Sequence, residues 1–243
     1  MTGGEPQLLG QTVVLIGGSA GIGLETARQA RAAGADVILT GRNAQHLERA
    51  ALDVQAAHTA AFDAGDPAAV AEFFGSLDQI DHVLITAGGP SYVPLLEMTS
   101  DQVRDALGSH AVVALDVARN TVGKIRPGGS LTLMGGTGGR RIGRGLGIIS
   151  AATAALPPFT ATLALELAPT RVNLIAAGFV DTPLSASLLG DRLDERRDEL
   201  RTTLPIGRVV GPADVAALAI HLMTNTALTG ATYDIDGGQQ FVN

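Results

Sequence analysis

Thr12-Val-Val-Leu-Ile16 runs straight into Gly17-Gly-Ser-Ala-Gly-Ile-Gly23, and the reading of this stretch decides the fold. Five apolar or β-branched residues make a strand that can be covered on both faces. Glycines at 17, 21 and 23 let the chain turn sharply and bring backbone N–H groups against a bound anion. An amphipathic segment, Ile22–Ala33, then opens as a helix whose N-terminus adds partial positive charge. A second β-like run, Asp36–Thr40, follows at the spacing of a dinucleotide-binding βαβ unit. The competing reading is a tight strand-to-helix turn whose nucleotide site has decayed.

Outward from this unit the alternation continues. Further β-like runs lie at Thr59–Phe62, His82–Thr86, Ser130–Met134, Arg171–Ile175 and Thr232–Ile235. Helix-like stretches lie at Ala44–Leu52, Pro67–Ser76, Asp101–Val122, Ile148–Leu167 and Pro212–Met223. Seven strands alternating with helices predict an α/β fold: a single doubly wound Rossmann domain over residues 1–243, a seven-stranded parallel sheet with helices on both faces. No linker or internal repeat marks a second domain. Two stretches break the rhythm. Gly135 to Gly147 holds seven glycines and three arginines (Arg140, Arg141, Arg144), which predicts a mobile loop. Residues 182–205 are polar and charged and predict a helical flap over the substrate. Both follow strands, so both belong at the carboxyl edge of the sheet, where ligands bind in such folds.

A net charge of −7 argues against nucleic acid as a partner. The absence of cysteine excludes disulfides and thiolate metal sites. No His, Asp or Glu cluster has metal-ligand spacing, so no metal is expected. No unbroken apolar run reaches the ~18 residues that cross a bilayer. Residues 1–7 show no basic region followed by an apolar stretch, so no export signal is expected. A cytoplasmic protein without a membrane partner is the expectation.

The second strand bears on the choice of cofactor. An NAD site places an acid near its end, against the ribose 2′-hydroxyl. This strand ends Thr40-Gly-Arg-Asn43, and Asp36 lies at its wrong end. Arg42 could pair with a 2′-phosphate as a planar, always-charged fork, or it could be a solvated loop charge. NADP(H) is favoured, and NAD(H) stays open.

Motifs along nearly the whole chain resemble the short-chain dehydrogenase/reductase family. Gly17-Gly-Ser-Ala-Gly-Ile-Gly23 is similar to that family's glycine turn, and Phe62-Asp63 to the segment whose aspartate bonds the adenine amino group. Leu84-Ile-Thr-Ala-Gly88 stands where the family has Asn-Asn-Ala-Gly. Arg171 to Thr182 resembles the sixth strand and the nicotinamide-side loop. Pro205-Ile-Gly-Arg208, Pro212-Ala-Asp-Val215 and Thr229-Gly230 leading to Asp236-Gly-Gly238 resemble its carboxyl-terminal part. The resemblance implies a cofactor site of Gly17, Ser19, Gly21, Ile22, Gly23, Arg42, Asp63, Ala87, Gly88, Gly178 and Thr182. It also implies an oxidoreductase acting on a small-molecule substrate, and a homo-oligomer (dimer or tetramer).

The same resemblance exposes a gap. The family protonates the nascent alkoxide from a tyrosine whose pKa a lysine lowers, helped by a serine and an asparagine. Those four positions fall here on Ile149, Thr153, Gly136 and His110. The chain has one lysine, Lys124, and two tyrosines, Tyr92 and Tyr233, and neither tyrosine has a lysine four residues on. Isoleucine has no proton to give. The catalytic residues are therefore unassigned, with two candidates. His110 occupies the relay position with a group that titrates near neutrality, or it fills space as a hydrogen-bonded histidine. Tyr92 follows Ala87-Gly-Gly-Pro-Ser91 and could point inward, although an unassisted phenol near pKa 10 is a poor donor. Thr137 and Ser150 could polarise a carbonyl or could cap backbone groups. Arginines 140, 141 and 144 could receive an anion or stay solvated. Pro157-Pro158 should kink the fifth helix, which in the family packs against a neighbouring subunit. Two functions compete: an NADP(H)-dependent oxidoreductase with a non-standard acid, acting on a small carbonyl or activated alkene, and a catalytically silent dinucleotide-binding protein that serves as sensor or partner subunit. A scaffold that has lost the nucleotide as well is disfavoured by the intact turn, Asp63 and Gly178.

Overall fold

A computed structural model describes residues 7–140 and 143–242. Seven strands form one sheet: β1 (Thr12–Ile16), β2 (Asp36–Gly41), β3 (His58–Ala61), β4 (Ile80–Ile85), β5 (Ile125–Gly136), β6 (Arg171–Ala177) and β7 (Thr232–Ile235). Their order is β3-β2-β1-β4-β5-β6-β7, and every neighbouring pair is parallel. This is the doubly wound Rossmann arrangement expected from the alternation. The order reverses between β1 and β4, so their carboxyl ends diverge into a crevice.

The helices are α1 (Gly21–Ala32), α2 (Ala44–Val54), α3 (Pro67–Gly75), α4 (Ser100–Thr121), α5 (Gly147–Ala154), α6 (Leu156–Glu166), α7 (Pro183–Leu189), α8 (Leu193–Thr203) and α9 (Pro212–Thr224). The sheet separates two cores. Val14 and Ile16 of β1 face one, with Phe73, Phe74, Val113, Val117 and Leu163. Val13 and Leu15 face the other, with Ala27, Leu47, Val215 and Leu222. Alternate residues of a buried parallel strand serve opposite helix layers, which is why this run carries no polar face.

Two expectations need correction. Residues 135–147 were expected to be one mobile loop. Instead β5 continues to Gly136, and Thr137–Arg140 form a 3₁₀ turn. Arg140 is fastened to Asp234 of β7, with Nη2 donating to Oδ1 at 2.9 Å, and also to Gln240. Arg144 pairs with Glu97. Arg140 is therefore not simply solvated, the Arg144 side chain is 86% exposed as a solvated charge is, and Arg141 lies outside the described residues, as do residues 1–6. The fifth helix is also not merely kinked. It stops at Ala154 and restarts at Leu156, so that Pro157 and Pro158 sit in the first turn of α6, where a missing N–H costs nothing. Together α5 and α6 make a 20-residue stretch, Gly147–Glu166, of mean hydropathy 1.5, long and apolar enough by composition to cross a bilayer. Counting unbroken apolar runs misses it. It packs on α4 and β6, with a third of it buried. The flap expected over residues 182–205 is helical, formed by α7 and α8.

At the opposite edge of the sheet two buried polar groups tie the strands together. Arg171, 5% exposed, has no carboxylate partner among the described residues; its guanidinium donates to the carbonyls of Leu222, Met223, Asn225, Leu228 and Gly128. It therefore satisfies the carboxyl end of α9. His82 lies between Gln11 Oε1 (Nε2, 2.7 Å) and Ser130 Oγ (Nδ1, 2.8 Å). Burial first, and the Arg171 charge second, push its pKa down to about 4. A neutral ring fits both bonds, with Nε2–H donating to Gln11 and Nδ1 accepting from Ser130.

The folded-state pKa lies below the ordinary value of 6.5, so the native state resists protonation that the unfolded chain accepts. Above pH 6.5 this costs nothing. Between pH 6.5 and about 4 it should remove roughly 3 kcal/mol of stability. Urea unfolding across that window should show the loss in the wild type and a smaller one in His82→Gln; equal pH slopes would refute the assignment.

Candidate active site

At the switch point the β1–α1 turn and the end of β4 meet with no room for side chains. Gly17 has φ +101°, and a Cβ there would lie 2.7 Å from Thr86 Oγ1 and 2.8 Å from Ala87 N. A Cβ on Gly23 would lie 2.3 Å from Gly17 O. The Thr86 hydroxyl donates to Gly17 O at 2.9 Å, and the Thr86 and Ala87 amides both donate to Ile16 O. Thr86 stands at one of the two asparagine positions of the resembled Asn-Asn-Ala-Gly motif, and its hydroxyl locks the turn. The signal was available, because threonine keeps a donor at that position.

The first turn of α1 is bare. Its N-cap is Ala20, no side chain caps it, and no acid lies in its first turn. By contrast α2, α3, α4 and α7 are capped by Asn43, Asp66, Thr99 and Thr182. Uncapped N–H groups beside a glycine turn form a cradle for an anion, which a pyrophosphate fits. Gly21 (φ +53°) lies under the flap: a Cβ there would sit 3.5 Å from the Thr182 side chain. The structure thus brings Gly17, Gly21, Gly23, Ala87 and Thr182 together. Ile22 is half-buried and packs against the second core.

A further group of candidates lies at the ends of β2 and β3. Ser19 Oγ lies 2.9 Å from where a Cβ on Gly41 would stand, so Ser19 borders the start of the β2–α2 loop. Arg42 follows in that loop, exposed, with no hydrogen bond or ion pair among the described residues. Asp63 is exposed at the end of β3, its carboxylate accepting from Gly65 N at 3.0 Å. Phe62 N donates to Gly41 O, which joins the Asp63 and Arg42 segments at one edge.

On the other side, Gly178 packs against the carboxyl-terminal loop, where a Cβ would meet Asp236 Cβ and Gln239 Oε1 at 2.6 Å. His110, on α4, has Nε2 3.9 Å from the position of a Cβ on Gly88, so the ring faces that glycine. Its Nδ1 lies 3.1 Å from Ser109 Oγ, which itself donates to Ala106 O. Nδ1 therefore carries the proton and Nε2 presents a lone pair. Burial lowers the His110 pKa, so the ring is neutral at physiological pH. Tyr92 as a residue is 54% exposed, and partial burial raises its phenol pKa against an opposing pull from Arg196 of α8. Ile149 is half-buried on α5, and the Thr153 hydroxyl donates to Ile149 O at 2.8 Å. Among the described residues no group of His, Cys, Asp or Glu could hold a metal ion.

The family model described as Enoyl-(Acyl carrier protein) reductase matches residues 17–240. The chain belongs to the short-chain dehydrogenase/reductase family. An uncharacterized oxidoreductase of Mycobacterium tuberculosis (strain CDC 1551 / Oshkosh) is 33% identical over 96% of this chain and 93% of its own. The short-chain dehydrogenase/reductase ATR9 of Stachybotrys chlorohalonatus is 30% identical over 96% and 98%. Among solved structures, the MalC reductase/Diels-Alderase of Malbranchea aurantiaca shares the fold with a TM-score of 0.90 at 23% identity, covering 98% and 99% of the two chains. A small-chain dehydrogenase in complex with NADPH matches with a TM-score of 0.81 at 27% identity, covering 95% and 99%. Within this short-chain dehydrogenase/reductase family the chain is an oxidoreductase by descent, and its seven-stranded sheet is the family's.

The crossing at Gly17 and Gly23 leads to a stability prediction. Gly23→Ala should cost about 1–3 kcal/mol, because the obstructing atom is backbone and cannot rotate away. Gly75→Ala, at a helical site with nothing within 4 Å, should be neutral or stabilise by up to about 1 kcal/mol. Calorimetric melting of the two variants checks the contrast, and equal melting temperatures would refute it.

Proposed function

We propose that this chain is an NADP(H)-dependent oxidoreductase with a non-standard active site, reducing a small carbonyl or activated alkene. The observation that carries the reading is the bare first turn of α1 beneath the Gly17–Gly23 turn, together with the unpaired Arg42 beyond β2. The NADPH complex of a relative 27% identical supports the same cofactor. The amides of Gly17–Gly23 and the α1 terminus would hold the pyrophosphate. Arg42 and Ser19 would take the 2′-phosphate, and Asp63 the adenine amino group. Ala87, Gly88, Gly178 and Thr182 would border the nicotinamide. Bound there, NADPH supplies the hydride.

The chain's own residues must then provide the proton. At the positions the family uses for tyrosine and lysine stand Ile149 and Thr153, and Thr153 spends its hydroxyl on Ile149 O. Tyr92, with its pKa raised, is a weaker acid than a free phenol. His110 is neutral near pH 7 and donates only from its minor protonated form. A reduction assisted by His110 therefore speeds up as pH falls toward its lowered pKa. General acid catalysis is worth ~10²–10⁴ in rate, and positioning of hydride donor and acceptor contributes more, so on this reading turnover without a strong acid is slow. The silent alternative is favoured by the same two side chains, Ile149 and Thr153, and turnover decides between them. With this reading go a small-molecule substrate, a cytoplasmic location and no nucleic-acid or membrane partner. A homo-oligomer also goes with it, supported by the exposed Val112 of α4 and Leu165 of α6.

Fluorescence titration should show saturable NADPH binding, tighter than NADH. Arg42→Ala should weaken NADPH roughly tenfold or more while sparing NADH. No saturable binding of either nucleotide would sink the proposal. With NADPH and a panel of ketones and enones, absorbance loss at acidic pH should fall about tenfold or more in His110→Ala. An unchanged rate would exonerate His110, and no turnover with any acceptor would favour the silent protein.

A further inference from the structure

The first turn of α7 closes over the anion cradle, and apolar burial does not hold it there. A Cβ on Gly21 would lie 3.5 Å from the Thr182 side chain and 3.9 Å from Cδ of Pro183, the residue that opens α7. Yet α7 buries none of its own side chains, and Leu184 and Leu188 stay 49% and 44% exposed. A segment with so little buried surface opens at small cost unless polar ties restrain it.

Two fixed points flank this segment. On one side Val180 bridges to Val210, and Asp181 N donates to Val210 O at 2.9 Å. On the other, Leu200 near the end of α8 and Leu204 just beyond it are buried. Between them the chain makes α7, a 3₁₀ turn over Gly190–Arg192 and the start of α8. Arg197 closes this path on itself. Its guanidinium grips Asp181 as a fork, Nε donating to Oδ2 at 2.9 Å and Nη2 to Oδ1 at 2.8 Å, across sixteen residues. Nη1 donates to Asp194 Oδ1 at 2.8 Å, within α8 itself. The two side chains of the fork are 29% and 31% exposed, whereas that of Asp194 is 87% exposed. A bidentate pair is geometrically strict and stronger than a single-contact surface pair, and closing the loop takes freedom from the segment between its ends.

The geometry points to Arg197 as a positioning residue that latches α7 over the cradle through Asp181, the residue directly before Thr182. A ligand that seeks the amides of Gly21–Gly23 waits for the latch to release. The fork therefore sets how fast ligand enters and leaves, and not how tightly it is held. The inference rests on the dinucleotide reading only for the identity of that ligand.

Two measurements on the full chain test it. Hydrogen exchange without ligand reads the latch directly: in Arg197→Gln and Asp181→Asn the α7 amides should exchange about fivefold faster, while those of α9 stay as in the wild type. Stopped-flow fluorescence with NADPH reads entry. Association and dissociation should both speed up about fivefold in these variants, leaving affinity within about twofold. Asp194→Asn, which keeps the fork, should match the wild type in both measurements. A residue that merely shaped the binding surface would change dissociation alone. Unchanged α7 exchange, equal acceleration in α9, or faster dissociation with unchanged association overturns the inference, as does an Asp194→Asn variant as fast as the other two. Absence of NADPH binding in the wild type sinks the dinucleotide reading instead, and α7 exchange then judges the latch by itself.

Discussion

The rest of the molecule depends on a backbone crossing too close for any Cβ. Where β1 ends, Gly17 passes against Thr86 and Ala87 of the neighbouring strand's extension, and Gly23 returns against the Gly17 carbonyl. This contact holds the first turn of α1 directly over the divergence of β1 and β4. It also explains why that turn can stay uncapped. A capping side chain at position 20 would occupy the space where an anion meets the amides, and the Thr86 hydroxyl stabilises the turn from below. A stability device normally placed at the helix end has been moved one strand away, which leaves the helix end open for ligand.

Binding and chemistry are unequally equipped in this site. The proposed dinucleotide side consists of backbone, a helix end and the side chains of Ser19, Arg42 and Asp63. The reacting side consists of groups that burial has made poor proton donors: a neutral imidazole, a phenol pushed upward and two hydroxyls committed to carbonyls. Burial acts on His110 and Tyr92 in opposite directions, since one is charged when protonated and the other when deprotonated, yet both outcomes disfavour proton transfer near neutrality.

Much of this was legible from residues alone, for identifiable reasons. The strands were readable because full burial leaves an apolar run with sharp ends, and β1 and β7 lie where the pattern puts them. The glycine turn was readable because its chemistry is local. The interactions that escaped reading are long-range. The glycine content of 135–147 argued for a mobile loop, but Arg140 reaches across ninety-four residues to Asp234, and no local count reveals that. The prolines at 157 and 158 marked a fault in the helix, while its resolution as two helices depends on the chain stopping one residue earlier. The state of His110 depends on Ser109, Gly88 and the depth of α4 in the fold.

The Arg140 fork has a mechanical consequence. Gln240, three residues from the end of the chain, shares that guanidinium with β7. The C-terminal segment is thereby tied to the turn that begins at Thr137, about a hundred residues away in sequence, through one guanidinium.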